Sequence, residues 1–168
     1  MTGWKADKRW SDIFIPEITK ILGPYLIREP PIEEDQERNT DLIVLKMDSV
    51  RIACRVRKFE YLNRYPNEFT IREGRPSGIK TELTKIIEGW GDYLFYGFSD
   101  EKEKQLAKWN IINLNIFRLW FNRMLVIDNG KVPGIGKKNV DNSSSFRSFN
   151  ITMMPEDLIF GSSAQPTA

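Results

Sequence analysis

The sequence has no histidine in 168 residues. That excludes Ser-His-Asp and Cys-His catalysis, imidazole acid–base chemistry and the usual zinc sites. One cysteine, Cys54, rules out a disulfide within the chain, and a reducing, cytoplasmic setting is expected. Cys54 alternates with Ile52 and Val56, which predicts a buried structural thiol rather than a nucleophile. Net charge is scarce: 25 Lys+Arg stand against 23 Asp+Glu, a formal +2. No global field draws in a polyanion, so any such partner must be recognised by local clustering. No apolar run approaches the roughly 18–20 residues of a membrane-crossing helix. The opening M-T-G-W-K-A-D-K-R-W is broken by charges and does not read as a signal peptide.

What the chain does have is a hydrophobic fraction of 40%, enough for a core at this length. One α/β domain is expected over 1–160, with a disordered small-residue tail at 161–168. Helical spacing runs from Trp10 to Leu22, with Pro16 either kinking that helix or opening a shorter one, and Gly23-Pro24 ending it. The unbroken apolar run Leu42-Ile43-Val44-Leu45 predicts a strand covered on both faces. Val50 to Lys58 alternates instead, with Ile52, Cys54 and Val56 on one face and Ala53, Arg55 and Arg57 on the other. A turn at Asp48-Ser49 makes these two strands neighbours. Further strands are expected at Glu68 to Arg72, Tyr93 to Phe98 and Trp109 to Leu114, and helices at Lys80 to Trp90 and Asn115 to Leu125. Asn129 to Ser145 reads as a long polar loop, and Phe146 to Ile151 as an edge strand. The fold class is therefore α/β, bordering on α+β, with a central mixed sheet flanked by helices.

Two features carry chemistry. The first is a row of charge between residues 51 and 75, where Arg51, Arg55, Arg57, Lys58, Arg64, Arg72 and Arg75 face only Glu60, Glu68 and Glu73. Tyr61, Tyr65 and Phe69 fall in the same window. Guanidinium groups among aromatics suit phosphate contact and base stacking, so Arg51, Arg55, Arg57, Lys58, Arg72 and Arg75 are the candidate contacts to DNA or RNA. The competing reading is a solvated strand face paired with the acidic loop at Glu33 to Glu37. The second feature is Asp41, an acid at the mouth of a buried strand.

The order of elements, with Asp41 opening one strand and Arg55-x-Arg57 in the next, resembles the PD-(D/E)XK (restriction-endonuclease-like) nuclease superfamily over about Trp10 to Leu125. The resemblance implies Asp41 as a magnesium ligand, Glu17 as the first-helix glutamate and Arg57 in the place of the lysine beside the scissile phosphate. It also marks a departure, since Arg55 stands where the family has a ligand glutamate. Magnesium needs hard oxygen donors, and a guanidinium repels it. Glu82 or Glu88, on the helix near Lys80, would have to supply the missing carboxylate, although both also fit a solvated helix face beside Lys85. Two functions follow from the resemblance. One is a Mg²⁺-dependent phosphodiesterase that uses Asp41, Arg57, Glu17 and Glu82. The other is a catalytically inactive nucleic-acid- or protein-binding module on the same fold. The aromatic group Trp109, Phe117, Trp120 and Phe121 offers a third possibility, an interaction protein of phage or mobile-element type that forms a homodimer through an aromatic surface.

Overall fold

A computed structural model of the chain describes residues 3–28, 43–44, 50–74, 78, 80–139 and 143–163. Its elements are mixed α and β. Helices α1 (Gly3–Asp12) and α2 (Ile15–Leu26) come first. Pro16 is the second residue of α2, close to the first-turn position that tolerates a missing N–H, so it opens a new helix. Pro24 lies inside α2, and Gly23-Pro24 does not end the helix as the sequence predicted. A two-residue ladder pairs β1 (Ile27–Arg28) antiparallel with β2 (Ile43–Val44).

The main sheet has the order β3-β5-β6-β9. Strand β3 (Ile52–Arg57) runs parallel to β5 (Tyr93–Ser99), with Ile52 opposite Tyr93 and Arg57 opposite Phe98. The crossover between them holds α3 (Phe59–Arg64), β4 (Glu68–Gly74) and α4 (Glu82–Ile87). Strand β6 (Leu106–Asn113) is antiparallel to β5, and β9 (Ile159–Ser162) is antiparallel to β6. Between β6 and β9 come α5 (Leu114–Ile127), β7 (Ile135–Lys138) and β8 (Ser145–Asn150). Strands β4, β8 and β7 form a second, antiparallel sheet in that order.

Strand β5 explains the layering. It is apolar on both faces because both are covered. Phe95 packs with Phe14, Ile18, Val56 and Ile111 on the α2 side. Leu94, Tyr96 and Phe98 point the other way, into a larger cluster with Phe69 and Ile71 of β4, Leu83 and Ile86 of α4, Phe117 and Phe121 of α5, and Phe149 of β8. Asn113 starts α5 by accepting the backbone N–H groups of Asn115 (2.9 Å) and Ile116 (3.3 Å) with its side-chain oxygen.

Four expectations need correction. Strand β2 pairs with β1, and β3 pairs with β5, so the described strands do not form the expected β2–β3 hairpin. The stretch read as a long loop contains β7. That strand joins the sheet through its backbone ladder to β8 while Ile135 stays exposed, so it carries no alternation of burial. Strand β8 is the central strand of its sheet, not an edge. The ordered chain also continues through Gly161 and Ser162 into the stretch expected to be tail, and the Ser163 N–H bonds the Trp109 carbonyl at 3.0 Å.

Candidate nucleic-acid interface

β3 is the edge of the main sheet among the described residues, and its alternation decides what that edge displays. Val56 turns inward under the first helices and is buried. Arg55 points to the opposite face, towards β4 and α4. Its Nη1 donates to the Thr70 carbonyl at 2.9 Å, and its Nη2 lies 2.5 Å from Glu82 Oε2. The same Glu82 oxygen accepts the Arg72 backbone N–H at 3.0 Å. The two side chains are only 21% and 25% exposed. Glu82 therefore ties α4 to β3 and β4 at once, and Arg55 is a structural cation as well as a surface one.

Two adjoining recesses flank this ion pair and share Arg55 and Arg72. The first, of about 550 Å³, has a floor of Ile52, Ala53, Ile86 and Leu114 and a rim carrying Arg51, Lys80, Lys85 and Trp90. The second, of about 780 Å³, runs between α1 and α3 and is lined by Lys8, Trp10, Arg57, Lys58 and Tyr61. Together they present eight lysines and arginines against three carboxylates. Of those three, Glu82 is held by Arg55, and Asp12 pairs with Lys8 at 3.2 Å. The Arg57 guanidinium sits 4.1 Å from the Tyr61 ring centroid, a cation–π contact that fixes its plane. Lys58 is 3.4 Å from Glu103, which also accepts the Trp10 indole N–H at 2.8 Å.

The structure thus gathers Arg51, Arg55, Arg57, Lys58, Arg72 and Glu82 at one edge. Asp41 and Arg75 lie outside the described residues, as does the acidic loop at Glu33 to Glu37. Glu17 is elsewhere. It stands on α2, and its Oε2 accepts the Leu106 N–H at 2.9 Å, two strands away from β3. Its role there is to dock α2 on the start of β6. Glu17→Ala should therefore cost about 1–3 kcal/mol, the range for a lost hydrogen bond to a charged acceptor, read by urea denaturation. A metal-ligand role would instead leave stability nearly unchanged. Glu88 is taken by Lys80, at 2.7 and 2.9 Å to its two oxygens.

Among the described residues no three Asp, Glu, Cys or His side chains are grouped as a metal site requires. Glu82, the carboxylate nearest the arginines, already has one oxygen in an ion pair and a backbone hydrogen bond, amid cations. The described residues at this edge do not fit magnesium. Cys54 is exposed rather than buried as predicted, and desolvation by the packing around its sulfur still pushes the thiol pKa up, the opposite direction to an activated nucleophile. The aromatic group behind the homodimer expectation is largely internal: Phe117 and Phe121 are core residues, and Trp120 packs against Phe149. The exposed apolar residues of α5 are Leu119, Val126 and Ile127. Among the described residues no helix is long and apolar enough to cross a membrane.

Sequence reading missed Trp90, which it placed at the end of a helix running from Lys80. The helix ends before it, and the side chain is 62% exposed. The available signal was the glycine on each side of it. No protein-family model, curated protein or solved structure matches the chain.

Proposed function

We propose that the chain is a nucleic-acid-binding module whose β3 edge, with Arg72 of β4 beside it, grips the phosphate backbone. The observation that carries this reading is the pair of adjoining recesses joined through Arg55 and Arg72, with cations outnumbering carboxylates and aromatic rings among them. A phosphate chain offers one negative charge per nucleotide, and guanidinium and ammonium groups spread over two adjoining recesses suit such an extended polyanion better than a compact acidic ligand. The same features bear on the nuclease resemblance. With Arg55 where the superfamily has a ligand glutamate, and with Glu82 neutralised by that arginine, binding is favoured over metal-dependent cleavage.

The test is fluorescence anisotropy of labelled nucleic acid across a salt series. The logarithm of the binding constant should fall linearly with the logarithm of salt. Arg51→Ala combined with Arg57→Ala should weaken binding roughly tenfold and reduce that slope by about two. These two residues sit on either side of the shared ion pair and leave it intact. Binding that ignores salt, or a double variant that matches the parent, overturns the reading.

A further inference from the structure

The two recesses differ in a way that names the form of nucleic acid. The larger is the more polar, and its two rings, Trp10 and Tyr61, already lie beneath Lys58 and Arg57, whereas the smaller has an apolar floor, a cationic rim and one exposed indole. That combination matches a nucleotide, which pairs a flat apolar ring with an anionic phosphate.

Trp90 is held in place by backbone. Gly89 follows α4 with φ +100°, a left-handed conformation that side chains disfavour. The Gly89 N–H bonds the Ile86 carbonyl and the Trp90 N–H bonds the Lys85 carbonyl, both at 3.0 Å, the paired bonds of a Schellman helix end. Gly91 leaves the turn with φ +80°. Arg118, on α5, then donates from Nη1 to the carbonyls of Ile86 and Gly91, each at 3.2 Å, and fastens the turn to the body. The backbone beneath Trp90 is thus fixed, and the exposed indole stands at the rim of the recess. A volume of about 550 Å³ lies within the roughly 300–1,000 Å³ of small-ligand sites.

We propose, building on the phosphate-binding reading, that the smaller recess seats one unpaired base of a single strand. The base face lies on Trp90, its flanking phosphates lie on Arg51 and Lys85, and the strand continues past Arg55 and Arg72 into the larger recess. A paired base keeps its faces in the duplex stack and cannot enter, so the ligand is a single strand or an unpaired stretch.

The experiment compares four probes on the full chain: a short oligothymidylate, its duplex with oligoadenylate, an abasic strand of equal length, and thymidine monophosphate. The oligothymidylate should bind tightest. Trp90→Ala should weaken it by roughly ten- to a hundredfold while leaving the abasic strand unchanged, and Trp90→Phe should retain most of the affinity. Equal binding of the abasic strand, tighter binding of the duplex, a mononucleotide that matches the strand, or a Trp90→Ala variant indistinguishable from the parent overturns the base seat. If oligothymidylate binding depends on Arg51 and Arg57 but not on Trp90, only this inference falls. If the parent chain binds none of the strands, the phosphate-binding reading falls with it.

Discussion

Phe149→Ala is expected to lower the free energy of unfolding by about 3–5 kcal/mol, measured by urea or guanidinium denaturation. Phe149, on the central strand of the three-stranded sheet, stands where that sheet meets α5. Its ring centroid is 5.1 Å from Phe117 and 5.3 Å from Phe69, with Trp120 at 6.2 Å and Phe121 at 6.5 Å. Deleting the ring removes a contact from each of four aromatic neighbours, three on α5 and Phe69 on β4, which are fixed to two separate elements and cannot all collapse into the gap. The backbone is also shaped to this ring. Gly134 has φ +82°, and a Cβ there would lie 2.7 Å from Phe149 Cε1. Total stabilities of roughly 5–15 kcal/mol are usual for a domain, so the loss would remove a large share. A change under about 1 kcal/mol would mean that the second sheet does not pack on α5 as described.

Glu82 gives the other large effect, with two readouts of opposite sign. Glu82→Ala leaves Arg55 without its carboxylate and the Arg72 N–H without its acceptor. Breaking a fully buried pair costs about 3–5 kcal/mol, and with about a quarter of each side chain exposed the expected cost is nearer 1–3 kcal/mol. Glu82→Gln keeps an oxygen acceptor and removes the charge. Nucleic-acid affinity should then rise several-fold, because a unit charge at roughly 7 Å in largely aqueous surroundings is worth about 0.5–1 kcal/mol. A residue that served as a metal ligand would give the reverse, a loss of function on Glu82→Gln. Measuring both variants separates the structural role of this carboxylate from a catalytic one.

Local periodicity made much of this fold readable. The alternation from Ile52 to Arg57 named β3 and the face that its arginines take, and the aromatic run from Tyr93 named β5. Their partnership was not readable. Strand pairing is settled by which edges meet after α3, β4 and α4 have folded back, and nothing in the local pattern of β3 distinguishes a hairpin with the chain before it from a parallel seat beside β5. β7 escaped because its sequence, Ile-Gly-Lys-Lys, buries almost nothing and contributes mainly backbone. At the candidate site, the composition of residues 51–75 pointed to the cations. The salt bridge that joins Arg55 to Glu82 did not follow, since the partners lie 27 residues apart and meet only through the tertiary fold. Trp90 was misplaced for a smaller reason: the helical spacing was extended one residue past Gly89, which turns the chain out of the helix.

The parallel seating of β3 beside β5 also bears on synthesis. Ribosomes add roughly 5–20 residues per second, so β3 leaves the exit tunnel some seconds before the strand that completes it. During that interval Val56, Phe14 and Ile18 lack Phe95 and Ile111, the later half of their cluster, and the nascent segment is a ready client for a holding chaperone. Slowing translation just before Tyr93 should lengthen this vulnerable period and lower the yield of native protein.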